Sequence, residues 1–448
     1  MMTIAELAPK IAARKITSEK VTENCLATIA ELNPKLNAFI TVTADAALAR
    51  AREADKEIAG GRYLGPLHGI PLSIKDLIDC KGTPTTAGSL VRKDHMASSD
   101  APVTRRLREA GAVFVGKTNL HEFAFGTTSE DSGFGPARNP HDPTRSPGGS
   151  SGGSGIAVAT GMSVGTVGTD TGGSIRIPAA ACGVVGLKPE WGQISATGVV
   201  PLSRQLDHVG PLAASVADAW LLFNAMLPTA GRVNALPESS SLKGLRFGMP
   251  TAYLFDRLDA DVERTMLATI EVLRSKGAAI REVALPHANE IATVYLHLVL
   301  ADAAEYHART LESQPQDYTP NVRLRLEMAR YVLAEDYIRA LRGKSIIAKE
   351  VDRALHGVDV LVCPALSIPA PPIGAATMPV KGGNEAVRTL MLRCTQPFNV
   401  SGHPAISLPC GTTPAKLPVG LQLVGHKGRT PALVQAALAV EKVISGVS

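Results

Sequence analysis

Three short stretches of this chain carry residue types that could share one reaction. The first is Gly69-Ile-Pro-Leu-Ser-Ile-Lys75-Asp76, a lysine at the end of an apolar run. An ammonium drawn into such surroundings loses hydration, so its pKa falls and a neutral amine becomes available as a general base near pH 7. The second is Ser146-Pro-Gly-Gly-Ser150-Ser151-Gly-Gly-Ser154-Gly155, where glycine density permits backbone that other residues could not adopt. The third is Gly168-Thr169-Asp170-Thr171-Gly172-Gly173-Ser174-Ile175-Arg176-Ile177-Pro178. Two glycines ahead of a serine let consecutive N–H groups converge on one point, the geometry of an oxyanion hole beside a nucleophile. Each stretch also has an ordinary reading: a lysine snorkelling from a strand, a Gly/Ser linker, a type II turn into a serine-capped helix. Together, the lysine, the serine loop and the serine beside clustered amides form a proton relay with an acyl acceptor.

Two other matches are decoys. Gly111-Ala-Val-Phe-Val-Gly116-Lys117-Thr118 fits the phosphate-loop pattern, but its four intervening residues read as a strand, and a strand cannot also wrap around phosphates. Gly149-Ser150-Ser151-Gly152-Gly153 fits the nucleophile elbow, which needs a strand immediately upstream; Pro140, Pro143 and Pro147 stand there instead. His121-Glu122 lacks the second histidine of a zinc-protease helix.

The elements around these stretches read as α/β. Ile4, Leu7, Ala8 and Ile11, then Val21, Cys25, Ile29 and Leu32, then Ala44 to Ala59 recur at helical spacing, with a cap at Thr17 or Ser18 and a stop at Gly60-Gly61. From Leu67 short apolar runs alternate with helical ones: strand 69–74, helix 103–110, strand 112–115. Residues 139–153 read as loop, since Pro, Gly and Ser there support neither helix nor strand. Farther on, 245–248, 358–362, 404–409 and 418–424 read as strands, and 261–276 and 324–342 as helices. The expected architecture is a single large α/β domain, a twisted sheet with helices on both faces (63–448), with a helical N-terminal segment (1–62) packed on it.

Composition narrows the function classes. An apolar fraction of 45% with 19% charged residues suits a globular enzyme. A net charge of +5, spread without focus, argues against a nucleic-acid groove. The six cysteines include no C-x-x-C pair and none at zinc-ligand spacing from a histidine, so unpaired buried thiols in a reducing compartment are expected, with no metal. Residues 1–15 lack the apolar core of a signal peptide and no run reaches membrane length, which points to the cytoplasm.

The run Gly148 to Pro189, with Gly-Gly-Ser-Ser-Gly-Gly, Asp-Thr-Gly-Gly-Ser-Ile-Arg and Cys182-Gly-Val-Val-Gly-Leu-Lys-Pro, resembles the diagnostic segment of the amidase signature family. The resemblance extends to Gly65-Pro-Leu-His-Gly-Ile-Pro-Leu-Ser-Ile-Lys-Asp, Leu206-Asp-His-Val-Gly-Pro and Leu417-Pro-Val-Gly-Leu-Gln-Leu-Val-Gly. It implies Ser174 as nucleophile, Ser150 as bridging serine after a non-proline cis peptide at Gly149, and Lys75 as base. It further implies an oxyanion hole from the amides of Thr171, Gly172, Gly173 and Ser174, with Ser151, Asp170 and Arg176 holding the loops. It implies a large mixed sheet flanked by helices, hydrolysis of a small-molecule amide, and no metal or organic cofactor. A homodimer is the expected assembly, with neither nucleic acid nor membrane as partner.

Two rival readings accompany this one: the glutaminase subunit of a tRNA-dependent amidotransferase, and a silent binding protein on the same fold. Ile177 stands where the glutaminase subunit commonly has glutamine, and Glu190-Trp191 where it has threonine, which favours a stand-alone amidase. Retention of all three reactive residues speaks against a silent scaffold. Residues 122–134 and 294–341 are the candidate substrate walls. Within them Arg323, Arg325 and Arg330 are candidates for a substrate carboxylate, against a solvated helix face.

Overall fold

A computed structural model describes residues 2–232, 236–237 and 241–445. In chain order the strands are β1 (Phe39–Val42), β2 (Pro71–Lys75), β3 (Val113–Thr118), β4 (Gly165–Asp170), β5 (Val185–Lys188), β6 (His208–Ala213), β7 (Arg246–Met249), β8 (Ala279–Glu282), β9 (Val360–Pro364), β10 (Thr377–Val380), β11 (Gly383–Ala386), β12 (Ala405–Thr412) and β13 (Pro418–Val424). Eleven of them form one sheet in the order β1-β3-β2-β4-β6-β5-β12-β13-β9-β7-β8, while β10 and β11 make a separate hairpin. The sheet is mixed: β2 runs parallel to β3 and β4, and β7 to β8 and β9, while the central pairs are antiparallel.

Every residue of β2, β4, β5, β6, β9 and β13 is buried. Strands buried on both faces read as continuous apolar or small-residue runs rather than alternating ones, and their burial requires helices on each side. The helix Arg176–Cys182, built of small residues between Pro178 and Cys182, lies wholly buried against this sheet.

The first helix, Ile4–Ala12, buries Ile4, Leu7, Ala8 and Ile11 and starts with a capping box between Thr3 and Glu6. The carboxylate of Asp218 accepts from the amides of Ile4 (2.9 Å) and Ala5 (3.0 Å), which pins this helix to the helix Val216–Met226. Helices Ser18–Leu36, with Thr17 as cap, and Ala44–Ala59 follow.

Three details depart from the sequence reading. Phe39–Val42, inside the segment expected to be helical, is β1 and pairs with β3 at the sheet edge. The Gly/Ser run does not stay a loop: Gly152–Ala159 is a helix. A Cβ on Gly153 would sit 2.3 Å from the carbonyl oxygen of Ala38 and 2.6 Å from the amide of Asn119, so glycine there answers close packing rather than flexibility. Residues 324–342 are not one helix but parts of two, Pro320–Ala329 and Ala334–Leu355, divided at a turn that neither proline nor glycine announces. The phosphate-loop lookalike lies on β3 through Thr118, and its Lys117 pairs with Asp76 at 3.0 Å.

Among the described residues no helix is long and apolar enough to cross a membrane. All six cysteines are free, five of them buried.

Candidate active site

Strand β2 lies between β3 and β4 and parallel to both, with Ile74 opposite Val167 and Lys75 opposite Thr118. The ends of β2 and β4 therefore fall together, at the carboxyl edge where open α/β sheets carry their sites. β2 ends in Lys75, and β4 ends in Asp170, from which the Thr171–Ser174 turn departs.

Lys75 has no exposed surface. Its Nζ donates to Ser150 Oγ at 2.7 Å and to Thr169 Oγ1 at 2.9 Å. Burial pulls its pKa down to about 7, against the charges of Asp170 and Asp207 that favour the ammonium. The amine is thus divided between its two forms at neutral pH, held against a hydroxyl that it can deprotonate.

Ser150 follows a cis peptide at Gly149. Its carbonyl accepts from the amide of His121 (3.0 Å) and from Ser129 Oγ (3.2 Å). A Cβ on Gly149 would lie 2.8 Å from the Thr127 carbonyl carbon, so residues 127–129 form a wall against this turn. Ser151 ties the two serine loops together: its Oγ donates to the Thr169 carbonyl (3.2 Å) and its amide to the Ser174 carbonyl (3.3 Å).

The turn from Thr171 to Ser174 is clamped at both ends. Asp170, fully buried, accepts from Arg176 Nε and Nη2 (3.0 Å each), from the Ile175 amide (3.1 Å) and from Asn399 Nδ2 (2.7 Å). Burial would raise this carboxyl, but the Arg176 charge and these hydrogen bonds outweigh it and hold Asp170 well below the usual carboxylate range. Arg176 spends its remaining donors on the Thr395 carbonyl (2.9 Å), Gln422 Oε1 (2.6 Å) and Asn399 Oδ1 (2.6 Å). Gly173 has φ +142°, and a Cβ on it would meet Thr395 Oγ1 at 2.2 Å. The same hydroxyl donates to the Gly172 carbonyl at 2.6 Å.

Among the described residues, the amides of Thr171, Gly172, Gly173 and Ser174 donate to no protein acceptor. Four successive N–H groups without partners, beside a serine, form a nest for a developing negative oxygen. Ser174 keeps 6% of its surface exposed, and its hydroxyl makes no hydrogen bond among the described residues. The preformed hydrogen bonds thus run from Lys75 to Ser150, and Ser174 joins that loop through its carbonyl.

The sequence reading assigned no role to several residues that complete this arrangement. Asp207 accepts from Thr171 Oγ1 (2.6 Å) and from the amides of Leu202 (3.0 Å) and Ser203 (3.2 Å). Burial lifts its pKa to about 6, opposed by these hydrogen bonds and the Lys75 charge. Asp207 stands within the quoted Leu206-Asp-His motif, but nothing in a linear motif says which loop its carboxylate meets. Tyr295, on the helix Ile291–Ser313, brings its hydroxyl to within 2.4 Å of where a Gly172 Cβ would stand. Burial pushes that phenol up to about 12, so it stays neutral. Of the three candidate arginines, Arg323 pairs with Glu327 (3.1 Å) and Arg330 with Glu312 (3.2 Å) on exposed faces, while Arg325 turns inward to the Phe125 carbonyl (2.7 Å). Among the described residues no group of three or more His, Cys, Asp or Glu side chains could hold a metal ion.

The arrangement can therefore supply a base, a bridging hydroxyl, a nucleophilic hydroxyl and an anion nest within one buried cluster. The family profile described as Amidase matches residues 20–434. An amidase of Pseudomonas putida is 39% identical over 98% of this chain and 96% of its own. A glutamyl-tRNA(Gln) amidotransferase subunit of Chloroflexus aurantiacus (strain ATCC 29366 / DSM 635 / J-10-fl) is also 39% identical, over 95% of this chain and 93% of its own. A crystal structure of an amidase superposes with a TM-score of 0.93 at 37% identity, covering 98% of this chain and 99% of that one.

Proposed function

The chain belongs to the amidase family, and from that premise we propose that it hydrolyses a small non-peptide carboxylic amide without partner subunits, through an acyl-enzyme on Ser174. The observation that carries this reading is the wholly buried Lys75, hydrogen-bonded to Ser150 at 2.7 Å beside the four unpartnered amides of Thr171 to Ser174.

In the proposed reaction neutral Lys75 takes a proton from Ser150, and Ser150 takes one from Ser174 as the Ser174 alkoxide attacks the amide carbonyl carbon. Thr169 receives an N–H of Lys75 and so helps aim the nitrogen lone pair at Ser150. The carbonyl oxygen, now negative, is bound by the amides of residues 171–174, where preorganised donors in a dry site lower the barrier most. As the C–N bond breaks, the relay returns its proton to the departing nitrogen, giving ammonia or an amine. Water then follows the same path: Ser150 accepts its proton, hydroxide adds to the ester, and Ser174 leaves with the proton as the carboxylic acid is released. Ser151, Asp170 and Arg176 touch no reacting atom in this scheme and hold the two loops in register. We place the protein in the cytoplasm.

The glutaminase reading has its own support in the 39% identity to the Chloroflexus aurantiacus amidotransferase chain. The departures at Ile177 and Glu190-Trp191 weigh against it; Ile177 is buried beside the Gly173 turn, and Trp191 lies on the surface under Lys344 at 5.1 Å.

The purified chain, incubated alone with a panel of small amides that includes glutamine and with a serine-directed phosphonate, tests the proposal. Amine or ammonia release without partners, with the phosphonate mass on the Ser174 peptide and its loss in Lys75→Ala, is the expected result. Turnover of glutamine alone, or only after partner subunits are added, would move the assignment to the amidotransferase. No adduct and no turnover would remove the catalytic assignment.

A further inference from the structure

Strands β2 and β3 run parallel, but their register slips: Leu72 lies opposite Phe114 and Ser73 opposite Gly116, so Val115 is one residue more than β2 can match. A bulge of this kind re-aims the side chains beyond it. Phe114 and Lys117, three apart on a regular strand, would fall on opposite faces. The bulge instead sets Lys117 beside Ile74, on the face that Phe114 shares. Lys75 follows Ile74 on β2 and takes the other face.

A cavity opens on the Phe114 face. Ala112, Phe114 and Ile74 form its apolar floor, and Ala46 and Arg50, one turn apart on the helix Ala44–Ala59, form one side. Cys80 and Lys81, just past β2, and Arg108 of the helix Pro102–Glu109 form the rest of the rim. With the solvent at its mouth the cavity holds about 530 Å³ of free space. Small-molecule sites occupy about 300–1,000 Å³.

Four side chains of the lining are basic and, among the described residues, none is acidic. Carboxylates stand behind the rim rather than in it: Asp76 pairs with Lys117 (3.0 Å), Asp100 with Arg108 (2.9 Å), and Glu53 and Glu57 with Arg50 (3.0 and 2.9 Å). Lys117 also donates to the Pro84 carbonyl (2.8 Å) and Thr85 Oγ1 (3.1 Å), so its N–H groups are spent and it contributes charge alone. Arg108 is held in place by Asp100 and by the Phe114 ring, whose centroid is 5.1 Å from its guanidinium carbon. Lys81 is exposed, and only its amide, not its ammonium, is tied to Asp100 (2.7 Å). Cys80 Sγ lies 3.5 Å from Arg108 Nη2, but burial raises the thiol over the opposing charges of Arg108 and Lys117, so it brings no negative charge. A cationic rim over an apolar floor suits an anion with a small apolar body: guanidinium and ammonium donors meet the oxyanion, and burial of the body adds affinity.

We propose that this cavity is a second ligand site, which takes a small organic oxyanion, a carboxylate or phosphate between Arg108 and Lys81 with its apolar body on Phe114, Ile74 and Ala112. It lies on the face of β2 opposite the Lys75 side chain and does not depend on the amide-hydrolase reading.

Equilibrium dialysis of the full chain against benzoate, phenyl phosphate and the neutral benzyl alcohol tests this. At least one anion is expected to bind about ten-fold or more tightly than the alcohol. The tighter of the two anions shows whether the site prefers carboxylate or phosphate. Lys81→Glu, which reverses a charge at the rim, should weaken the anion by about ten-fold or more, and Ala46→Trp, which fills the mouth, should abolish its binding. Both positions are exposed, so the fold tolerates these changes. Retention of neither anion, equal retention of benzyl alcohol, or anion binding that survives both substitutions would overturn the site. The last result would place the anion elsewhere, with the serine cluster as the first place to look.

Discussion

The Nζ of Lys75 stands 2.7 Å from the Oγ of Ser150, and neither residue has any exposed surface. A lysine so buried reaches the reaction only through the hydroxyls it touches, those of Ser150 and Thr169. Lys75→Met, which keeps the volume and removes the amine, is expected to lower kcat by about 10³-fold or more while KM changes little, because members of such a relay act as a unit. Steady-state rates together with circular dichroism of the variant check this.

In the proposed relay Lys75 works only as the free amine, and burial pulls its pKa down to about 7. The kcat/KM profile should therefore rise with pH through about 7 and level off above it. The Asp207 charge raises the Lys75 pKa, so Asp207→Asn should move the rising limb to lower pH. A pH-rate profile of both proteins reads the shift, and an unmoved limb in the variant would sink the link between Asp207 and Lys75.

Gly173 holds φ +142° with Thr395 Oγ1 where a side chain would go. Gly173→Ala must displace either the turn or Thr395, and with it the unpartnered amides. A fall in kcat of about 10²-fold or more is expected, the size seen when one oxyanion donor is lost. Thr395→Ser, which retains the hydroxyl, should remain close to the parent rate.

Arg176 is buried and satisfies Asp170, Thr395, Gln422 and Asn399 together. Arg176→Met would leave Asp170 as an uncompensated buried charge, at a cost of about 3–5 kcal/mol in urea unfolding. The Asp170 carboxyl has its pKa depressed by folding, so the stability from its ionised form is complete above its ordinary value of 3.8 and is lost as pH falls below it. The parent chain should accordingly lose stability in acid more steeply than Arg176→Met does.

Much of this was legible in the chain before any coordinates. Lys75 ends an apolar run and Ser174 follows two glycines, and these are local facts that a linear pattern carries. The helical periodicity of Ile4, Leu7, Ala8 and Ile11 and the buried runs of β9 and β13 are local in the same sense. Less legible were β1, whose four residues form a strand only because β3 lies beside them, and the helix Gly152–Ala159, whose glycines are required by Ala38 and Asn119 from elsewhere in the chain.

By itself the sequence determined which groups are present and which backbone could be bent around them: an amine, serine hydroxyls, and glycines placed to free successive amides. Only the tertiary structure decided their partners. Lys75 and Ser150 are 75 residues apart, Thr171 and Asp207 are 36 apart, and Arg176 and Gln422 are 246 apart. Arg323, Arg325 and Arg330 are alike in type, yet packing turns only Arg325 inward. The reason is physical: a side chain's pKa and reach depend on the solvent and charges removed from or brought to it on folding, and those come from residues distant in sequence.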